Sequence, residues 1–567
     1  MVKIFLILTL FYYIYDLYLQ QILKQDQIMN KRVYLFSFLA MSLFTFCDNN
    51  DDSNSDNQAG TNIEINNDLT SLNSRLDYTD SGVISITNAS ASKSAKSEAA
   101  ASALPLVQIA EINPPKDSKG RTLQANHVAV NGNYAYVAYT MIGETYSGAI
   151  DVIDVTDPYK PKLLNSALIA DTDITALTYS NGNLIIAGAA DLDKNPALTS
   201  PAILINMQLS SGLLTDKYTI TALDSRVTTD VAANTSSYFA VTGDAGSLFK
   251  INSSTKAIAG KAALEDLRTI AVSGDKIVTL SGKKGVNVYS ESTLALQKTF
   301  TTSTDVSGAK RTVDFDGTRL LVSEGYNGLG VYDINSGSKL QSLPLATAGE
   351  DNVTNAVSVN DGYAFVANGA LGLNVYKTGT QLSLLGTVGI AGSSNYVKSS
   401  GDYIYVASGK GGLKIIKMEK PNAAFASCSS YGIYNQGQNL ILNSNEVKSY
   451  SGATAISSVI VNSGATLTHC GAISIQNGLT LNSGGTFNMR GTLSQGKYLL
   501  GTELIINSNA LLQIEGSVVI WGDLRLNSGA KINFVGNDSS ITIYGKVTKN
   551  SNVTITGTFK DTENKLK

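Results

Sequence analysis

Apolar and polar positions along this chain alternate in short runs, and the runs come in pairs. HVAVNGNYAYVA from His127, ALTYSNGNLIIAG from Ala176, TIAVSGDKIVTLSG from Thr269, TVDFDGTRLLVSEG from Thr312, AVSVNDGYAFVANG from Ala356 and YVKSSGDYIYVASG from Tyr396 each read as two strands. Asn-Gly, Ser-Gly-Asp or Asp-Gly joins each pair, residues that supply the positive φ of a tight hairpin. VAANTSSYFAVTG from Val231 is a further copy without the glycine. A third run follows, nearly continuous in apolar residues: GAIDVID from Gly148, then GSLFKIN, GVNVYSE, GLGVYDI, GLNVYKT and GLKIIKM from Gly246, Gly285, Gly328, Gly372 and Gly412, with PAILINMQ from Pro201 completing the set. Seven units of about 40–45 residues, each several strands long, predict a seven-bladed β-propeller. The last unit ends near Lys417 without a fourth strand. LPLVQIAEI (Leu104 to Ile112) stands alone before the first, and is expected to supply that strand and close the ring.

The rhythm then shortens. Asn-Ser-Gly or Asn-Ser-Asn recurs at Asn443, Asn462, Asn482, Asn507, Asn527 and Asn550, followed by short alternating strands such as GATLTHC, GGTFNMRG and GAKINFVG. A period near 20 predicts a β-solenoid, right-handed and parallel β-helix-like. Its asparagines are expected to stack as a hydrogen-bonded ladder. A β-sandwich with repeated turns is the alternative.

The fold class is therefore all-β. GAIDVIDVTDP, with its VIDVTDP ending, resembles the LVIVD-repeat family of cell-surface propeller proteins, strongly in the first unit and weakly later. That resemblance implies a surface-located repeat scaffold and brings no catalytic residues.

The N-terminal region carries an address. From Met29, MNKRVYLFSFLAMSLFTFC has a basic start at Lys31 and Arg32, an apolar run from Val33 to Phe46, and then Cys47. A cysteine followed by DNNDDSNSDNQ resembles a bacterial lipoprotein signal, although Phe46 replaces the usual small residue. It implies export and lipid attachment at Cys47, with Met29 as the expected start and the cell surface or outer membrane as destination. The chain is expected to divide into extension plus signal peptide over 1–47, a disordered tether over 48–103, the propeller over 104–420 and the solenoid over 421–567. Export would leave Cys428 and Cys470 as candidate disulfide partners.

Charge adds little: 16% charged residues and a net charge of −3 give no basic surface for nucleic acid. Two histidines, His127 and His469, fall in different domains, against a histidine-based zinc site. DLDKN at Asp191 lacks the glycine and glutamate of a calcium loop. No catalytic residues, metal or cofactor are expected.

Propellers focus chemistry at the mouth of the central channel. Aligning the units on their hairpins places Asn126, Ala176, Thr229, Arg268, Arg311, Asn355 and Asn395 at one level. His127, Leu177, Asp230, Thr269, Thr312, Ala356 and Tyr396 lie at the next. The candidate ligand-binding residues are Asn126, His127, Thr229, Asp230, Arg268, Arg311, Asn355, Asn395 and Tyr396. Arg268 and Arg311 offer a fork for a carboxylate or phosphate. His127 and Asp230 offer an acid–base pair, although two blades apart. The favoured function is a non-enzymatic, lipid-anchored surface scaffold binding an extracellular protein or glycan. The alternative is a polysaccharide lyase or glycosidase with its site at the mouth or in the solenoid groove, an analogy of fold only.

Overall fold

The structure is a computed structural model describing residues 62–84, 86, 104–157, 159–303, 306, 308–420 and 430–567. The signal sequence, Cys47, Pro158 and Cys428 lie outside the described residues, and all those described belong to one compact unit, 59–567.

Seven antiparallel sheets form the ring. Blade one contains the strands Gln124–Asn131, Tyr134–Thr140, Gly148–Asp154 and Lys162–Ile169. Blades two to six follow over 172–222, 228–263, 267–300, 313–343 and 356–388. Blade seven takes three strands from 396–418 and its fourth, Leu106–Ile112, from the other end of the chain, as the orphan strand foretold. Apolar clusters occupy the wedges between neighbouring blades; one gathers Ile150, Ile186, Ile205 and Tyr136 from blades one and two. Burial on both faces accounts for the nearly continuous apolar character of the third strands.

The glycine ending the second run has a specific task in the later blades. Gly325, Gly369 and Gly409 adopt φ near +60°, and each bridges to the start of the next blade, at Thr354, Ser394 and Ala125 respectively. A left-handed residue there favours glycine.

The tether expectation fails over 62–84. Ile63–Asn66 adds a fifth strand to blade one, Leu69–Asn73 forms a short helix capped by Asp68, and Leu76–Asp77 and Gly82–Ile84 pair with the strand Leu106–Ile112. The segment has just enough apolar residues to bury: Leu72 and Val83 are each 1% exposed. Composition averaged over 48–103 hides this, because the apolar residues of this strap sit among long polar stretches.

The C-terminal coils build two parallel sheets, one from Asn439–Leu442 to Val547–Lys549, the other from Val447–Ile456 to Thr554–Thr556, with Ser540–Ile543 and Lys560–Asp561 added to the second in the last two coils. The ladder is present. Asn482 donates to Asn462 at 2.8 Å, Asn507 to Asn482 at 3.2 Å, Asn527 to Asn507 at 2.6 Å and Asn550 to Asn527 at 3.0 Å. It begins where Asn462 donates to the carbonyl of Leu442 at 2.8 Å, so Asn443 adds no rung. Beside it runs a glycine column, with Gly452, Gly471, Gly491 and Gly516 in register. At Gly491, φ is +130° and a Cβ would stand 2.1 Å from the carbonyl oxygen of Gly471. The corner therefore requires glycine. Cys470 is disulfide-bonded.

Propeller and solenoid share a small core in which Val83, Val107, Val519 and Trp521 are buried. Trp521 stacks on Tyr544 at 4.4 Å and meets the edge of Tyr159 from blade one. The Tyr544 hydroxyl donates to the Tyr159 carbonyl at 3.0 Å. Buried Glu419 accepts from Tyr159 and Ser494 and pairs with Lys417 at 2.8 Å. The strap joins in: Val83 donates its N–H to Gly496 at 2.9 Å.

Candidate functional site

The first strands of blades one to four each begin with a register shift, at Asn126, Thr175, Thr229 and Arg268. Such a bulge re-aims one side chain. Here three of them reach the next blade. Asn126 donates to the Ile174 carbonyl at 2.5 Å, Thr175 to Thr228 at 2.5 Å and Thr229 to Leu267 at 2.9 Å. In blade six, Asn355 donates to Ser394 at 3.5 Å. The bulge corrects the alignment at blade two, where Thr175 rather than Ala176 holds the position.

One step deeper the polarity reverses, and side chains accept the N–H of the next blade. The His127 Nδ1 accepts from Leu177 at 3.4 Å. Asp230 accepts from Ile270 at 3.1 Å, from its own neighbour Val231 at 2.9 Å and from the Thr269 hydroxyl at 2.5 Å. Thr312 accepts from Val357 at 3.0 Å, Asp314 from Val359 at 2.7 Å and Ser358 from Ser399 at 3.0 Å. The candidate ligand-binding ring is in large part a girdle of bonds between blades.

Across the mouth lies Lys310. Its ammonium donates to the carbonyls of Thr175 at 2.6 Å and Asn126 at 3.3 Å and sits 5.2 Å from the centre of the Tyr396 ring. Burial pulls its pKa down to about 8, against the pull of Asp230. Tyr396 stacks on His127 at 4.0 Å. Burial, then the charges of Lys310 and Lys398, push His127 well below the usual histidine range, so it is neutral. Burial also raises Asp230.

The two groups offered as an acid–base pair are close, His127 Nε2 being 3.9 Å from Asp230 Oδ1. Two blades of separation is no distance across so narrow a channel. That gap exceeds a hydrogen bond, and three donors already occupy Asp230. Below them the channel encloses about 310 Å³, lined among others by Thr269, Asp314, Tyr396 and Lys398.

The arginine fork is overturned. Arg311 has φ +55°, which turns its side chain inward; it is fully buried and donates to the Ser323 carbonyl at 3.2 Å. The cation at the mouth is its neighbour Lys310, which hairpin alignment missed because a positive φ cannot be read from a run of ordinary residues. Arg268 pairs with Asp266 at 3.1 Å. Asn395 accepts from the Ser393 hydroxyl at 2.9 Å and, with Asn355, lines a separate depression that also contains Glu350 and Asp351.

The aspartates of GAIDVID are structural in two ways. Asp154 accepts from Thr156 at 2.8 Å, an ordinary turn. Asp151 is fully buried and takes both guanidinium nitrogens of Arg75, at 3.0 and 2.5 Å. Nothing in the sequence pairs these two, since Arg75 belongs to the strap. Asp191 caps its own loop by accepting from Asp193 at 3.1 Å. Among the described residues no group of three or more His, Cys, Asp or Glu is placed to hold a metal ion.

Ring closure and girdle define a β-propeller repeat protein. The LVIVD repeat family matches residues 124–168 and 391–417, so the chain carries LVIVD repeats. They fall in blades one and seven, on either side of the ring junction, so the last unit keeps the repeat pattern although it lacks the Asp-Pro ending. Among curated proteins none matches. Similar solved structures include the WD40 β-propeller domain of Doa1, 10% identical with a TM-score of 0.40, covering 55% of this chain and 96% of that one. The RRP9 WD40 repeats are 14% identical with a TM-score of 0.40, covering 54% and 99%. Likenesses this distant carry no argument about function.

Proposed function

We propose that this protein is an exported, lipid-anchored surface scaffold that holds an extracellular macromolecule, protein or glycan, without transforming it. The observation that carries the reading is the girdle: the polar side chains of the mouth are spent on neighbouring blades, and Asp230, the acid best placed for catalysis, already accepts three hydrogen bonds. Rigid joining of two repeat bodies through Trp521, Tyr159 and Glu419 supports it, because a preorganised surface loses little freedom on binding. Cys47 is the proposed point of lipid attachment, and the polar residues after it separate the anchor from the strap.

Labelled palmitate is expected to enter the protein and to be lost in Cys47→Ser, and protease shaving of intact cells is expected to release propeller peptides. A soluble fragment, 59–567, is expected to retain envelope protein or glycan whose chain length stays unchanged. Residues before 104 are needed, since a fragment starting there would strip Asp151 of Arg75. Shortening of a retained glycan would overturn the non-enzymatic reading; absence of label would overturn the anchor.

A further inference from the structure

A second cavity, of about 380 Å³, opens where strap, blade one and solenoid meet. Its walls are the rings of Tyr78, Tyr498, Trp521 and Tyr544 with Leu76 and Pro161, and its rim carries Asn73, Lys160 and Lys162. The polar groups of this lining are mostly engaged. Tyr78 donates to the Pro161 carbonyl at 3.3 Å and Tyr544 to that of Tyr159 at 3.0 Å. Asn73 binds both backbone groups of Leu163, and Lys160 pairs with Glu563. A sugar needs a dense set of free donors and acceptors, which this cleft lacks. What it offers is apolar wall plus the Lys162 ammonium and the Tyr498 hydroxyl, neither with a partner among the described residues, and the buried indole N–H of Trp521, which also lacks one.

The chain continues from Tyr498 of the cleft wall into an exposed apolar turn. The spacing from Asn482 to Asn507 is five residues longer than its neighbours of 20, and the extra residues include Lys497 to Gly501. Leu499 and Leu500 in this turn are 72% and 61% exposed, and Leu499 holds φ +56°. A strained, exposed leucine tip beside an aromatic cleft serves no packing purpose in the fold.

We infer that this junction cleft binds the acyl chain of an amphiphile with an anionic head group, the chain along the wall formed by Leu76, Tyr78, Pro161 and the stacked Trp521 and Tyr544, and the head against Lys162 and Tyr498. The inference goes beyond the scaffold reading and does not depend on it.

Trp521 is the single tryptophan of the chain, so intrinsic fluorescence reports on this cleft alone. Purified 59–567, a compact unit with its own closed core, is titrated with octanoate, decanoate and dodecanoate below their micelle concentrations. A saturable Trp521 response is expected, with affinity rising about fourfold per added methylene while the cleft fills. Lys162→Glu is expected to weaken dodecanoate by about tenfold or more and to leave unfolding unchanged, since Lys162 is exposed. Absence of a response, no dependence on chain length, equal affinity for dodecyltrimethylammonium, or a saturable response to maltohexaose instead would each overturn the inference. None of these outcomes touches macromolecule capture by the intact surface.

Discussion

Arg75→Ala is expected to destabilise the folded unit by about 3–5 kcal/mol, and by more than Asp151→Ala does. The asymmetry follows from what each substitution leaves behind. Asp151 is fully buried in the third strand of blade one, so without Arg75 an ionised carboxylate stays enclosed with no countercharge. Arg75 keeps 18% side-chain exposure and also donates to the Asn113 carbonyl at 2.9 Å, so it can turn to water when Asp151 is lost. Replacing both should recover much of the loss, because no buried charge then remains. Denaturant unfolding of 59–567 and its three variants measures this. Equal, additive losses would show that the pair is not coupled and that the strap is held by its strand pairing alone.

The solenoid should lose stability on mild acidification, and His469 is the cause. Its ring is fully buried in the coil core, in register with Tyr450 and Met489, its Nε2 3.2 Å from the Thr454 hydroxyl. Burial lowers its pKa from 6.5 to about 4. The unfolded chain thus takes up a proton near pH 6.5 that the folded chain refuses until near 4. The stability this contributes is complete above about pH 6.5 and falls as pH drops towards 4, by about 3 kcal/mol in all. His127, lowered in the same direction, acts in the same sense in the propeller. His469→Leu should remove the solenoid's share of this dependence while keeping the coil packed. An equal pH dependence of the unfolding free energy from pH 7 to 4.5 in the parent protein and in His469→Leu would contradict this account, because buried carboxylates raised in the folded state, Asp173 among them, act in the opposite sense in both proteins.

Much of this architecture is written in the sequence because it repeats. Hairpin turns at fixed spacing, the orphan strand before the first blade and the asparagines every 20 or so residues each encode a local rule, and repetition multiplies the signal. What was not legible is long-range or conformational. Arg75 meets Asp151 across 76 residues, from a segment whose composition reads as a tether. Thr175 replaces Ala176, and Lys310 replaces Arg311, because a bulge and a positive φ shift the side chain by one position. His127, Asp230 and Tyr396 were legible as residues of the channel mouth, but their contacts with neighbouring blades were not. The aromatic cleft escaped notice because Tyr78, Lys162 and Trp521 come from three bodies that sequence treats separately.

The central claim is that the polar ring of the mouth joins blades rather than holding a ligand. Hydrogen–deuterium exchange of Asp230→Ala, set beside its retention of the envelope macromolecule, tests it most directly. Loss of Asp230 leaves the Ile270 N–H and the Thr269 hydroxyl without their acceptor, a loss of about 3 kcal/mol. The first strand of blade four, Leu267–Ser273, should exchange faster while macromolecule binding is unchanged. Unaltered exchange together with lost binding would contradict the claim and return the mouth to the role of a ligand site.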